Sequence, residues 1–178
     1  NHYAGSSYHG MEFRPYYIAK EWVLSGHSVS ILSCSYSHVR NKQPKLGYSL
    51  YKDEIIDGII YRWVKSCKYN GNGIFRIFNI IIFLLLILKN VRSIVKSFKP
   101  DVVVASSTYP MDIWPAKFIA KLAKSKLVYE VHDLWPLSPI ELGGMSRLHP
   151  FILVAQFAEN FAYKHSDFVV SMLPNTYG

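Results

Sequence analysis

Cysteine is scarce in this sequence: Cys34 and Cys67 are the only two in 178 residues, and they lie outside any C-x-x-C spacing. That argues against a disulfide framework. It leaves two buried thiols in a reduced compartment as the reading, against a single bridge between neighbouring strands. Acid is scarce too, with 12 Asp and Glu against 20 Lys and Arg and a net charge of +8. Such a balance suits nucleic acid, an anionic membrane face or a phosphorylated substrate, or serves general solubility. Long apolar runs are absent but for one. Ile80 to Leu88 is unbroken, and extending it back to Ile74 passes Arg76 and Asn79. That falls short of the roughly 20 residues a spanning helix needs, so a transmembrane helix is not expected. There is no G-x-G-x-x-G, no P-loop, no internal repeat and no low-complexity tract. His2, His9, His27 and His38 are scattered without ligand spacing, so no metal site is expected. Initiator Met and signal peptide are also missing, and the chain opens at Asn1 in a loop. The expectation is that a first strand has been lost ahead of it.

Half of the chain is hydrophobic, which excludes disorder. Its length suits one well-packed domain. The organising stretch is Asp101 to Pro139. Asp101 to Ala105 is a β-branched run, Ser106 to Pro110 a polar loop, and Ile113 to Lys124 carries apolar residues at helical spacing. Leu127 to Val131 is a second short apolar strand. Strand, helix and strand of these lengths predict a βαβ unit with parallel, buried strands. Ligands bind such sheets at the carboxyl ends of the strands. His132 and Asp133 fall there.

Upstream, Asn1 to Gly10 reads as a loop. Met11 to Ser25 reads as an amphipathic helix with Pro15 in its first turn and Gly26 as its stop. His27 to Cys34 is a strand. Tyr36 to Asp53 is a polar excursion. Glu54 to Val64 is a hairpin turning at Asp57-Gly58. Lys68 to Gly73 is a connector, and Ile74 to Phe98 one long helix stopped by Pro100. Downstream, Ile140 to Ser146 is a loop. Pro150 to Tyr163 is a helix with Phe151, Val154, Ala155, Ala158 and Phe161 on one side, and Asp167 to Leu173 a last strand. The pattern is α/β, a doubly wound parallel sheet.

Two readings stand for several features. The Gly5 and Gly10 loop feeding a helix N-terminus is a suitable anion or hydroxyl site, or a plain capped loop. Arg14 is one turn in, able to reach a phosphate, pair with Glu12 or lie on the solvated face. The long apolar helix is a buried crossover, or an interfacial helix framed by Arg76, Lys89, Arg92, Lys96 and Lys99. His132 is a proton shuttle or donor to a substrate hydroxyl, or a cap on the next element. The aromatics sit at helix and strand spacing, so they read as core, and no nucleic-acid partner is expected.

HYAGSSYHGMEFRP, LSGHSVSIL, YEVHDLWPLSPIELGG and the closing AEN, AYKHSD and LPN together resemble the N-terminal domain of family 4 glycosyltransferases of the GT-B fold. The similarity is greatest to the bacterial subgroup that builds O-antigen and capsular polysaccharide, including L-fucosamine transferases, and it covers nearly all of the chain. It implies one Rossmann-like, acceptor-side domain over residues 1–178. It further implies a retaining transfer with a nucleotide sugar as co-substrate and no metal or other cofactor. The acceptor would be lipid-linked or a saccharide, and the place the cytoplasmic face of the plasma membrane. By this resemblance His132 and Asp133 are the catalytic pair. The residues expected to line the substrate are Gly5, Gly10, Met11, Arg14, Ser107, Tyr109 and Glu130. Arg76, Phe83, Lys89 and Arg92 are expected to touch an anionic membrane. The family's donor-binding C-terminal domain, with its E-x7-E region, has no counterpart here, so the chain alone is expected to be inactive. The rivals are a GT-B epimerase acting on a free sugar nucleotide, and a non-enzymatic membrane-binding domain of the same fold.

Overall fold

The computed structural model describes residues 1–71 and 73–172. It is an α/β, Rossmann-like structure whose chain divides into two compact units, Asn1–Lys89 and Asn90–Gly178. Each unit is built on a three-stranded sheet.

In the first unit the opening loop leads into helix α1 (Arg14–Leu24). Pro15 sits where a missing N–H costs nothing, and Gly26 at φ +89° ends the helix by donating to the Val23 carbonyl. Strand β1 (Ser30–Cys34) follows, then the hairpin of β2 (Tyr51–Ile56) and β3 (Ile59–Val64). The turn lies at Asp57-Gly58, both at positive φ, as the twist of a two-residue hairpin demands. β1 runs parallel to β3, and β2 lies antiparallel on the far side of β3. Tyr16 and Ala19 of α1 pack on Ile31, Ile59, Tyr61 and Trp63 to form the core.

Tyr51 to Asp53, expected in a polar excursion, belongs to β2. Its support comes from the opposite strand: Arg62 donates to both Asp53 carboxylate oxygens at 2.7 and 2.6 Å. Trp63 Nε1 likewise donates to Glu54 at 2.7 Å. Cross-strand pairs of this kind leave no trace in the local alternation.

The long helix expected from Ile74 to Phe98 is two, α2 (Ile74–Lys89) and α3 (Val91–Phe98). The break is at Asn90, a weak helix former that favours helix starts. Its backbone leaves the helical region, and its carbonyl accepts from Ile94 N at 2.9 Å. α2 buries Asn79, Ile80, Phe83, Leu84 and Ile87 and leaves Ile74, Phe75, Ile77, Phe78, Ile81 and Leu85 exposed. No single helix among the described residues is long and apolar enough to cross a membrane.

The second unit holds α3 and the βαβ unit expected from the sequence. β4 (Val102–Ala105) is followed by a 3-10 turn at Pro110–Asp112, α4 (Ile113–Ala123) and β5 (Lys126–Val131). The strands are parallel, with Ala105 opposite Tyr129. The loop expected from Ile140 begins later, because Leu137–Glu141 forms a short helix, α5. Helix α6 (Pro150–His165) buries Ile152, Ala155, Ala158, Glu159 and Ala162. That face is turned from the predicted one, and Val154 is exposed. β6 (Phe168–Ser171) adds in parallel to β5. Leu173, the end of the predicted last strand, lies outside the described residues.

Candidate functional site

Strand periodicity builds the site. Side chains alternate across a sheet, so Leu127, Tyr129 and Val131 of β5 share one face, and Glu130 and His132 the other. The register that sets Ala105 against Tyr129 brings Ser106 level with Glu130 as the chain leaves β4. Three polar side chains therefore converge at the carboxyl ends of two parallel strands, where open α/β sheets hold ligands. Ser106, Glu130 and His132 are all buried. The Ser106 hydroxyl donates to Glu130 Oε2. His132 Nε2 lies 3.1 Å from Ser106 Oγ and 3.2 Å from Glu130 Oε2.

A second acid sits beside them. Asp112, at the N-terminal end of α4, accepts from Ser107 N at 2.9 Å through Oδ2. Its Oδ1 is buried and has no hydrogen-bond partner among the described residues. Burial pushes its carboxyl above the ordinary carboxylate range, while the hydrogen bonding from Ser107 acts in the opposite direction. The rim is closed by Trp135, whose indole N–H donates to the Thr108 carbonyl.

Of the residues expected at this site, Ser107, Tyr109, Glu130 and His132 are buried in it or beside it. Asp133 is not among them: its side chain is exposed, and its carbonyl accepts from Trp135 N at 3.1 Å. The carboxylate that reaches His132 is Glu130, two residues earlier. Ser106 and Asp112 were missed by the sequence reading. The signal for Ser106 was the strand period carried one residue past β4. Asp112 had none, since only the fold of the 3-10 turn brings it back to Ser107.

The arrangement is not that of a nucleophilic serine. In a serine triad the acid holds the imidazole nitrogen opposite the one facing the hydroxyl. Here both oxygens meet the same nitrogen, and the serine proton is directed to the carboxylate. The cluster is a fixed set of hydrogen-bonding groups suited to hydroxyl-rich ligands. No group of three or more His, Cys, Asp or Glu able to hold a metal ion occurs among the described residues.

The first unit carries the remaining expected residues. Gly5 and Gly10 lie in a loop closed by reciprocal bonds between Ser6 and Gly10 at 3.0 and 2.9 Å. A Cβ on Gly5 would stand 1.8 Å from the Gly10 carbonyl oxygen, so this glycine serves the close approach of two backbone segments. Gly10 has φ +93°. The buried Arg40 braces the loop, donating to the Cys34 carbonyl at 2.6 Å and lying over the Trp63 ring. Met11 is exposed, and Arg14 opens α1 half-buried.

Among the residues expected at a membrane, Lys89 and Arg92 are exposed, and Arg76 donates to the Tyr3 hydroxyl at 3.0 Å. Phe83 is different. It is 1% exposed and stacked on His2 at 4.6 Å between ring centroids, so it faces the core of its unit and offers nothing to a bilayer. Its neighbours Ile77, Phe78, Ile81 and Leu85 are among the apolar side chains that α2 leaves exposed.

Compared with known families, residues 9–176 match the model described as glycosyl transferase 4-like domain. A comparison with curated proteins finds no match.

Proposed function

The chain belongs to the glycosyl transferase 4-like family, and on that premise we propose that it is the acceptor-side half of a retaining, metal-independent glycosyltransferase. The full-length enzyme moves a sugar from a nucleotide sugar to a lipid-linked or saccharide acceptor in the building of a bacterial cell-surface polysaccharide such as O-antigen or capsule. An L-fucosamine transferase is the type proposed. A donor-binding domain outside these residues holds most of the nucleotide, and this chain by itself is inactive.

The observation that carries the reading is the buried Ser106, Glu130 and His132 cluster at the strand ends of β4 and β5. His132 is the group that meets a sugar hydroxyl, and Asp112 supplies a further acceptor beside it. The exposed apolar face of α2 and the cationic Lys89 at its end support docking on the anionic cytoplasmic face of a membrane.

The test is transfer by the full-length enzyme from a panel of nucleotide sugars, comparing wild type with His132→Ala. A loss of about two orders of magnitude or more, with the fold intact, is expected of a positioned catalytic group. Unchanged transfer would return His132 to a structural cap. Turnover of the free sugar nucleotide without any acceptor would favour an epimerase instead.

A further inference from the structure

Hydrogen-bond inventory decides the state of His132. A serine hydroxyl has one proton, and the Ser106 proton is given to Glu130 Oε2. Toward the imidazole, Ser106 Oγ therefore presents a lone pair. The Glu130 oxygen is an acceptor as well. Both lie within 3.2 Å of the same ring nitrogen, Nε2. Two acceptors at one nitrogen require that nitrogen to carry the hydrogen, and a neutral imidazole then has its lone pair on Nδ1. The described hydrogen bonds of this ring are both made at Nε2.

From this we infer that Ser106 and Glu130 are positioning residues that hold His132 in its Nε2–H form, so that Nδ1 is the nitrogen offered to a sugar hydroxyl as acceptor. The inference deepens the function proposed above and rests on His132 facing substrate. It assigns Ser106 a part that no motif suggests, and separates Glu130, which acts through the imidazole, from the groups that touch ligand. A carboxylate behind Nε2–H also makes the lone pair on Nδ1 a better acceptor, by the same logic as the acid that orients a catalytic histidine.

The tautomer can be read directly, without sugar and without activity. The chain is prepared with its histidines labelled with heavy nitrogen. Long-range proton–nitrogen correlations of the rings are recorded at about pH 8, where an unperturbed imidazole is neutral. The His132 signals are identified by their loss in His132→Gln. The expected result is Nε2–H over Nδ1–H by about tenfold or more, the preference that bonds to a carboxylate give. A ring that is mainly Nδ1–H, or an even mixture, overturns the inference.

Glu130→Gln places an amide donor within reach of Nε2, and the preference should fall by about tenfold or reverse. Retention of the wild-type ratio in that variant overturns the role of Glu130. Ser106→Ala should weaken the preference and Ser106→Thr preserve it, and this pair decides the matter if Glu130→Gln does not fold. Transfer by His132→Ala tests the proposed function, and the tautomer ratio tests this inference, so each can fail alone.

Discussion

At the scale of single residues, the second unit carries an acid in an unfavourable place. Glu159 lies on the buried face of α6, 8% exposed, where the Gln156 amide donates to it at 3.4 Å. Burial pushes its carboxyl from an ordinary 4.5 up to about 7. The folded state therefore binds a proton that the unfolded state has released between those values, and stability falls as pH rises through that window. Glu159→Gln keeps the shape and removes the ionisation. Its stability relative to wild type should be close at pH 5 and rise to a gain of about 1–3 kcal/mol at pH 8. Urea melts at the two pH values measure this, and a gap that does not widen would contradict the burial argument. The same residue scale marks what the sequence could disclose of the site. Glu130 and His132 were legible because strand ends of βαβ units bind ligands. Asp133 drew attention as their neighbour, yet it lies beyond the end of β5 with its side chain exposed. Asp112 depends on a turn that no local pattern announces.

At the scale of elements, legibility followed how local the cause was. The Asp57-Gly58 hairpin and the β4–α4–β5 unit were readable because turn chemistry and periodicity lie within the segments themselves. The split at Asn90 was hidden inside an apolar pattern that continues across it. The start of β2 at Tyr51 depends on Arg62 and Trp63 of the neighbouring strand. The opening loop makes a sharper case. Gly5 reads as a ligand loop in sequence, while the structure gives it a packing duty against the Gly10 and Met11 carbonyls. Gly5→Ala meets backbone and should cost about 1–3 kcal/mol or prevent the loop from closing. Gly26→Ala, at φ +89° with open space around it, should cost only about 1 kcal/mol of backbone strain. Chemical melts of the two variants test the contrast, and equal losses would refute it.

At the scale of the whole molecule, charge and apolar surface point the same way. The chain carries +8, and α2 leaves Phe78, Ile81 and Leu85 exposed. The proposed docking on anionic lipid predicts co-sedimentation with phosphatidylserine-containing vesicles that weakens as salt rises. Ile81→Asp together with Leu85→Asp should reduce that binding at least about tenfold. Binding that is indifferent to both changes would sink the proposal. β6 has a different consequence. Phe168, Val169 and Val170 are all exposed, and among the described residues β5 alone pairs with their strand. Three adjacent β-formers on an edge unpaired among the described residues form a template for intermolecular pairing, with neither lysine nor proline in the strand to discourage it. In colloidal terms this edge is an adhesive spot of the second unit, a place where a single charged gatekeeper should slow association in a concentrated solution.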